Sequence, residues 1–346
     1  MVVWAAPELK ADVERRVRTD LGLEVESWTR VSGGAQNRLF QLSTREGSQL
    51  LLKQYAIDRW PRLTTEFSTL YALNSHGLER VPRALLRDDE RSYAVYSFEP
   101  GSPRPASEHS TNDVEEIARF CADLHRFSPL DLGGEKLEPA PDASFSPAGQ
   151  KQVILSRLSA FEAFATSSAA PDDLRTAHQS LDLPARLGRL LADLVDAAEP
   201  PLPESAWRLS HGDFGPQNFL FTESGDLTVV DFEAAGWDDP AHMVMGFVAH
   251  AASEDLPLGL TESFLGAHAE LMHLSDAEKN RYERVGRLLD VEWVAVYASA
   301  LTAENMANKQ SAVAGFDVQG YVGHVLGLIE RRLARATAGS GYPFPH

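Results

Sequence analysis

The feature that most constrains the fold is a change of residue pattern near residue 100. Between about residues 24 and 100, five short β-rich segments are separated by tight turns, and one apolar stripe at helical spacing, over about 59–76, interrupts them. Beyond residue 100, most apolar residues recur at helical spacing, between loops that contain Pro and Gly. The pattern predicts an α+β protein with a small five-stranded antiparallel lobe over residues 1–100 and a larger, mainly helical lobe over residues 101–346.

The same periodicity predicts approximate positions for the helices. A first helix is predicted between Pro7 and Gly22, since Pro favours the beginning and Gly the end of a helix. The apolar stripe of the helix near 59–76 includes Leu63 and Tyr71. In the second lobe, the predicted helices cover residues 111–127, 148–166, 184–198, 240–253, 261–272, 276–307 and 317–337, and short strands are predicted within 207–233.

Composition and charge narrow the class of protein. The 346 residues, of which 43% are hydrophobic, are enough for a sizeable core. The formal net charge of -18 disfavours nucleic acid and anionic membranes as partners, because both attract clustered Lys and Arg. It fits a cationic small substrate, or it serves only solubility. The single cysteine, Cys121, allows no internal disulfide, and we expect a cytoplasmic protein because there is no signal-peptide pattern and no apolar run of about 20 residues.

The segment HGDFGPQN, residues 211–218, is the first candidate for chemistry. Asp231 follows Asp213 by eighteen residues across a predicted hairpin, which returns the chain to its start and can bring Asp213, Asn218 and Asp231 together. Oxygen ligands from Asn218 and Asp231 suit Mg²⁺, and Asp213 would then accept a proton from an attacking hydroxyl. Alternatively, Asp213 and Asn218 only hydrogen-bond their own turn. For His211, a structural hydrogen bond that holds the loop is favoured over metal binding.

The first lobe supplies further candidates. Gly33 and Gly34, in SGGAQN between two strands, would let backbone N–H groups approach a phosphate, although an ordinary hairpin turn also needs glycine. Lys53 ends the apolar strand LLLK, where a charge is unfavourable unless it is paired or meets a ligand. Glu66 on the following helix is the expected partner. Alternatively, each residue taken singly has an ordinary explanation: Lys53 could extend its charged end to water, and Glu66 could be solvated.

Together these segments resemble the aminoglycoside phosphotransferase and choline kinase group, small-molecule kinases with a protein-kinase-like fold. The resemblance covers about residues 24–310 and is carried by SGG, Lys53, Glu66, YSFEPG, HGDFGPQN and DFE, in that order. HGDFGPQN and DFE are its most specific parts. Protein kinases have H-R-D-x-x-x-x-N and D-F-G in these places, whereas here Gly212 replaces the Arg and Glu233 the Gly. This difference favours the small-molecule branch over a protein kinase.

The resemblance implies a role for each matched position in the catalytic centre. Lys53 would contact the α- and β-phosphates of ATP and would be oriented by Glu66. Asp213 would be the catalytic base. Asn218 and Asp231 would hold Mg²⁺.

The resemblance also covers the connection between the lobes and two histidines. The backbone of Ser97, Phe98 and Glu99 would hydrogen-bond adenine. His125, in a Leu-His pair common in the family, would be structural. Where the family continues into a D-P-x-x-D-L run, this chain reads DDPAHMV, and we expect His242 to take the place of the second acid, which braces the catalytic loop.

The leading hypothesis is an ATP-dependent phosphotransferase that moves the γ-phosphoryl group to a hydroxyl of a small molecule, with ATP and Mg²⁺ as cofactors. Acids beside aromatic rings would bind an amine or a quaternary ammonium group by charge and cation–π attraction, so an amino-bearing hydroxyl compound is favoured over a neutral sugar or a metabolite such as homoserine. The i, i+4 spacing of Trp293 and Tyr297 on a helix, however, is more typical of core residues. The candidate acceptor-binding residues are Glu233, Trp237, Asp238, Glu292 and Trp293, with Asp239 and Asp290 near them in the sequence.

Two other functions remain open. A catalytically silent nucleotide-binding module that acts through a partner is less favoured, because such a module has no chemical need for Asp213. A metal hydrolase built on HGD is weaker still, because no second cluster of His and carboxylate residues completes a two-metal site.

Overall fold

The first lobe is built around a five-stranded antiparallel sheet. The computed structural model describes residues 7–31, 37–56, 61–131, 137–196, 199–312, 315–339, 342 and 344. The elements of this lobe are α1 (Pro7–Leu21), β1 (Val25–Val31), β2 (Arg38–Thr44), β3 (Gln49–Gln54), α2 (Arg62–Ser75), β4 (Ala84–Asp88) and β5 (Tyr93–Ser97). Their order in the sheet is β1-β2-β3-β5-β4, and each neighbouring pair is antiparallel. The predicted five-stranded lobe is confirmed.

Alternation along β3 directs its side chains to two different sides of the sheet. Leu50 and Leu52 belong to the core that the sheet forms with α1, which also contains Val13. Leu51 packs instead against the core shared with the second lobe. Lys53 follows Leu52 and therefore faces the same side as Leu51, where α2 packs.

The second lobe is mainly helical. Its elements are α3 (Thr111–Leu124), α4 (Pro147–Ala165), α5 (Asp172–Leu181), α6 (Leu183–Leu194), β6 (Arg208–Ser210), β7 (Phe219–Phe221), β8 (Leu227–Val229), β9 (Gly236–Asp238), α7 (Pro240–Ala249), α8 (Leu258–Leu271), α9 (Asp276–Ala300), α10 (Ala303–Ala312) and α11 (Val318–Ala338). α9 packs against α4 and α11 and also against α7. Because it has neighbours on opposite sides, it contributes Leu289 to one hydrophobic core and Leu288 and Val291 to the other.

Two short antiparallel ladders position the polar segments of this lobe. In one, β6 pairs with β9 and Leu209 lies opposite Trp237; in the other, β7 pairs with β8 and Phe219 lies opposite Val229. The second ladder is the hairpin expected from the sequence. It places the loop that connects β6 to β7 beside the segment that follows β8.

Several elements differ from those that the sequence predicts. α5 is not predicted, because only Leu174 and Leu181 of its ten residues are buried, too few for a clear stripe. The single helix predicted over 276–307 is divided, since α9 ends at residue 300 and α10 begins at residue 303. The prediction for Tyr71 is wrong: its side chain is 52% exposed on α2. β9 is too short to leave a pattern in the sequence.

Cys121 is a buried free thiol on α3 and belongs to the larger core. Among the described residues, none of the helices has the length and apolar character that crossing a bilayer requires. The boundary predicted at residue 100 falls in the segment between β5 and α3. The division into two functional lobes at that residue stays a prediction.

Two histidines pack against each other inside the second lobe. His125, at the end of α3, is 2% exposed and His268 on α8 is fully buried. Their rings meet edge to face, with centroids 5.6 Å apart. Burial lowers the pKa of His125 well below its usual range, and burial lowers the pKa of His268 to about 4 against a weaker opposing interaction with the backbone of Ala118. The folded protein therefore keeps both rings neutral at pH values where the unfolded chain protonates them.

We expect acid to destabilise the fold through this pair. Because the unfolded state binds more protons below pH 6.5, the free energy of unfolding should fall as the pH decreases from 6.5 to about 4, by up to about 1.4 kcal/mol per pH unit for each histidine. His268→Gln should reduce this slope in urea unfolding measured across the pH range. His324→Gln, at an exposed position on α11, is the control. An unchanged slope in His268→Gln would contradict the prediction.

Candidate active site

A buried ion pair joins the sheet to α2. Lys53 on β3 is 5% exposed and Glu66 on α2 is 4% exposed, and Lys53 Nζ lies 2.7 Å from Glu66 Oε2. Tyr55 Oη donates a hydrogen bond to the same carboxylate oxygen at 2.6 Å, and it also lies 2.7 Å from Tyr96 Oη. A buried charge requires such partners, because it has lost its contacts with water. The ion pair expected from the sequence is therefore present.

Lys53 also connects this pair to the second lobe. Its ammonium group forms ion pairs with Asp231 and, at 3.1 Å, with Glu233 Oε2. Burial by itself would lower the pKa of Lys53, but attraction to Glu66, Asp231 and Glu233 outweighs burial and raises the pKa above its ordinary value. Lys53 is thus a permanent cation at the boundary between the lobes.

His211 holds the loop between β6 and β7. Its ring is fully buried, Nε2 donates to Val230 O at 2.8 Å, and Nδ1 accepts the N–H of Asp213 at 3.3 Å. Because a backbone N–H can only donate, the proton of the neutral ring is on Nε2. Burial lowers the pKa of His211, which favours this neutral form. His211 has the bracing role that the sequence favours.

Gly212 lies where the loop touches the DFE segment. Its φ angle is +80°, and a Cβ atom at this position would lie 1.9 Å from the carbonyl oxygen of Ala234. A side chain as large as Arg cannot be accommodated there unless the backbone of Ala234 moves. The Gly that distinguishes this chain from protein kinases is therefore required by close backbone packing.

Asp213 is held by three neighbouring side chains. Its Oδ1 lies 3.5 Å from His250 Nε2, and its Oδ2 accepts hydrogen bonds from Asn218 Nδ2 at 3.2 Å and Gln217 Nε2 at 3.4 Å. The contact with His250 lowers the pKa of Asp213 to about 2, although burial opposes this change. Half of the side chain, 52%, remains exposed. Asp213 is therefore an ionised carboxylate that can be reached from outside.

Asn218 and Asp231 lie at the same end of the β7–β8 ladder. The N–H of Val230 donates to Asn218 O at 3.0 Å, and Asp231 is the next residue. Asn218 Nδ2 donates to Asp213 O at 2.8 Å, while no hydrogen bond from the described residues uses Asn218 Oδ1. Asp231 has the left-handed backbone angles φ 70° and ψ 57°, which Asp adopts more readily than most residues. The hairpin therefore brings both side chains to one place, and their role as metal ligands remains a prediction.

The connection between the lobes offers fewer backbone donors than the sequence suggests. The N–H of Ser97 donates to Arg83 O at 3.0 Å, and the N–H of Phe98 donates to Gln49 O at 3.2 Å. Both groups are thus used by the sheet. Of the three residues expected to contact adenine, Glu99 is the one whose N–H takes part in no backbone hydrogen bond among the described residues.

A cavity of about 220 Å³ lies beside Asp213. Its walls come from the loop after β6, from α4, and from α7 and α9. Four carboxylates face two cationic side chains and one indole ring around it. These residues are Asp142, Asp213, Asp238, Glu292, Arg157, His242 and Trp293.

Most charges in this cavity are paired with each other. Arg157 forms ion pairs with Glu292 and, at 2.7 Å, with Asp142. His242 Nδ1 lies 2.6 Å from Asp238 Oδ2. Burial alone would lower the pKa of His242, but attraction to Asp238 outweighs burial and raises it to about 9, so the ring is protonated at neutral pH.

Two of the candidate acceptor residues lie outside the cavity. Glu233 pairs with Arg62 on α2, accepts a hydrogen bond from Asn37 Nδ2 at 2.5 Å and contacts Lys53. Trp237 is 5% exposed and belongs to the core, because β9 pairs it with Leu209. Glu233 therefore connects the lobes and Trp237 fills the core, whereas Asp238, Glu292 and Trp293 line the cavity.

The expectation for His242 also needs correction. In the spacing D-P-x-x-D, counted from Asp239, the second acid falls on Met243, which is buried. His242 is the residue before it, and its Nδ1 contacts Asp238 rather than the loop that bears Asp213. His211 is the residue that braces the loop. Gly33 and Gly34 lie outside the described residues.

Three side chains of the candidate site were not found from the sequence. Tyr55 lies two residues after Lys53, just beyond the end of β3, so continued alternation could have identified it. Arg157 is 135 positions from its partner Glu292, and no local pattern indicates the pair. His250 directly follows the apolar helix α7, and this position in the sequence gives little indication that the side chain contacts Asp213.

The backbone as a whole is similar to those of solved small-molecule kinases. Spectinomycin phosphotransferase, in complex with ADP and spectinomycin, is 13% identical with a TM-score of 0.67, over 98% of this chain and 99% of that one. Macrolide 2'-phosphotransferase MphH from Brachybacterium faecium is 20% identical with a TM-score of 0.59, over 90% and 100% of the two chains. Amicoumacin kinase, in complex with AMP-PNP, Ca²⁺ and Ami, is 15% identical with a TM-score of 0.61, over 99% and 98%. The predicted protein-kinase-like fold is confirmed.

The family model for the phosphotransferase enzyme family APH matches residues 27–273. The chain therefore belongs to the phosphotransferase enzyme family. The sequence prediction of a small-molecule kinase is confirmed at that level. No curated protein sequence matches the chain significantly.

We expect Gly212→Ala to be far more harmful than the same change at another glycine with positive φ. Gly225, with φ +90°, is the matched control, because the nearest atom to a Cβ there is 3.8 Å away. Gly225→Ala should lower the free energy of unfolding by about 1–2 kcal/mol, from backbone strain alone. Gly212→Ala adds a backbone clash and should lower it by roughly 2–5 kcal/mol. Equal losses in urea unfolding would contradict the steric argument.

Proposed function

We propose that the protein transfers the γ-phosphoryl group of ATP to a hydroxyl group of a small molecule bound beside Asp213. One observation carries the proposal: the Lys53–Glu66 pair, Asp231 and the loop that bears Asp213 meet at the boundary between the lobes, next to a cavity that Asp213 lines. Phosphoryl transfer needs mainly alignment and charge neutralisation around a loose transition state. A fixed cation, oxygen ligands and a carboxylate in one place meet these needs.

The first lobe would hold the nucleotide. Spectinomycin phosphotransferase has been solved with ADP and amicoumacin kinase with AMP-PNP, which supports ATP as the donor here. Lys53 would bind the α- and β-phosphates, and Glu66 with Tyr55 would keep its ammonium group in position. The N–H of Glu99 would donate to adenine, since those of Ser97 and Phe98 are used by the sheet.

The donor set beside Asp213 fits a magnesium ion. Asn218 offers an amide oxygen and Asp231 a carboxylate, which are the hard oxygen ligands that Mg²⁺ prefers. The carboxylate oxygens of Glu66, Asp231 and Glu233 also lie within 4.8 Å of one another. Glu66 accepts another hydrogen bond and Glu233 forms another ion pair, so we assign Asn218 and Asp231 as the ligands. Bound Mg²⁺ would neutralise charge on the transferred phosphate.

Asp213 would orient the acceptor and receive its proton. The carboxylate is ionised at neutral pH, and its exposed side lies on the cavity. A loose transition state requires little removal of the proton before the bond to phosphorus forms. A weakly basic carboxylate is therefore sufficient, because it needs to hold the hydroxyl in line and accept the proton late.

The cavity favours an acceptor that carries a primary or secondary amine. Its four carboxylates outnumber Arg157 and the protonated His242, so its walls have a net negative charge. The guanidinium group of Arg332 lies 5.7 Å from the Trp293 ring centre and already uses the aromatic surface as a cation–π partner. An amine that donates hydrogen bonds to carboxylates fits these walls better than a quaternary ammonium group that needs a free ring.

Asp213→Asn should reduce phosphoryl transfer by about 10²- to 10⁴-fold, because the acceptor loses its base. Nucleotide binding should survive, because Lys53, Glu66 and Asp231 are unchanged. Transfer is measured as ADP release from MgATP with a panel of aminoglycosides, macrolides, choline, amino sugars and hydroxy amino acids. Nucleotide binding is measured as the thermal shift caused by AMP-PNP. Asp276→Asn, at a side chain that is 97% exposed at the start of α9, is the control.

Wild-type turnover in Asp213→Asn would refute the assignment of the base. If AMP-PNP stabilises the wild type but no ADP is formed with any acceptor or with water, the silent nucleotide-binding module becomes the better explanation. If choline gives faster transfer than the amino sugars, the proposed preference for hydrogen-bonding amines is wrong.

A further inference from the structure

We propose that His250 is a positioning residue that fixes the orientation of the Asp213 carboxylate through its Nε2–H group. The expected effect on turnover rests on the proposed function, whereas the contact between the two side chains does not. His250 follows α7, and the side chains of His250 and Asp213 belong to different segments of the second lobe. The contact is 3.5 Å between His250 Nε2 and Asp213 Oδ1.

A backbone hydrogen bond determines which ring nitrogen carries the proton. His250 Nδ1 accepts the N–H of Ala252 at 3.1 Å, as the cap of the short helix Ala251–Ser253. A backbone N–H can only donate, so Nδ1 has no proton and the neutral ring carries it on Nε2. The nitrogen that faces Asp213 therefore carries the proton.

Packing leaves the ring little freedom to turn away. The His250 ring meets Trp293 edge to face, with centroids 5.2 Å apart, and its side chain is 15% exposed. Its own carbonyl oxygen accepts a hydrogen bond from Arg332 Nη2 at 3.2 Å. On the other side, a Cβ atom at Gly215 would lie 2.7 Å from His250 Cε1, so the loop that bears Asp213 packs directly on the ring.

These contacts assign each oxygen of Asp213 to different partners. Oδ1 faces His250, whereas Oδ2 faces the amides of Asn218 and Gln217. With His250 absent, the carboxylate would keep only contacts from its own loop and could rotate about its χ angles. Because a displacement of about 1 Å at a reacting group can reduce a rate by about 100-fold, the rigidity of this carboxylate matters for turnover and not for nucleotide binding.

Two substitutions distinguish the contact with Asp213 from the capping hydrogen bond that Nδ1 accepts. His250→Asn keeps an acceptor near Nδ1 for the N–H of Ala252, but its amide is too short to reach Asp213. His250→Gln can place an amide N–H near the position of Nε2. We expect His250→Asn to fold and to lower kcat for ADP formation from MgATP by about 10- to 100-fold, with the KM for MgATP unchanged. His250→Gln should recover most of that loss, and His324→Asn, at the exposed position on α11, is the control.

The kinetic assay uses water as acceptor and then the panel compound that gives the fastest ADP release. The proposal is overturned if His250→Asn keeps the wild-type kcat, if only its KM for MgATP changes, or if His250→Gln is no better than His250→Asn. A loss of activity in Asp213→Asn without a loss in His250→Asn would leave the proposed function intact and refute only this inference.

An independent measurement does not need turnover. In the ¹⁵N spectrum of histidine-labelled wild type, the neutral His250 ring should carry its proton on Nε2, and the Nε2 signal should move in Asp213→Asn. A proton on Nδ1, or an Nε2 signal that is the same in both proteins, would refute the proposal even if the wild type forms no ADP.

Discussion

The buried ammonium group of Lys53 is the interaction on which the arrangement of the lobes depends. Lys53 comes from the sheet of the first lobe, Glu66 from α2, and Asp231 and Glu233 from the segment after β8 in the second lobe. Burying a single charge is unfavourable, so the ammonium group holds its partners together, and removing one of them would leave an uncompensated charge. The ion cluster thus places the proposed phosphate-binding cation against the proposed metal-binding segment.

Close backbone packing has a comparable role in the second lobe. Gly212 lets the loop that bears Asp213 approach Ala234, and His211 ties the same loop to Val230. Both contacts act on the residues beside the proposed base and the proposed metal ligand Asp231. The loop is thereby held from inside the protein, while the carboxylate of Asp213 stays exposed on the cavity.

The walls of the cavity beside Asp213 depend on three helices of the second lobe. The cations that pair with its carboxylates, Arg157 and His242, come from α4 and α7, and Trp293 comes from α9. Family membership defines the reaction class, whereas these helices decide what fits beside Asp213. Since α9 packs against both α4 and α7, a change in any one of the three helices would alter the walls of the cavity.

The sequence by itself determined the fold class and the centre of the site. Alternation and tight turns identified the five strands, and the hairpin between Asn218 and Asp231 brought those residues together, because each signal acts over short distances along the chain. Only the tertiary structure decided the cavity beside Asp213. Arg157 and Glu292 meet across 135 positions, and Trp237 and Glu233 turn away from the cavity, because strand pairing and ion pairs with distant residues fix their orientation. His250 likewise reaches Asp213 only because α7 ends beside the loop, which no local periodicity of the sequence records.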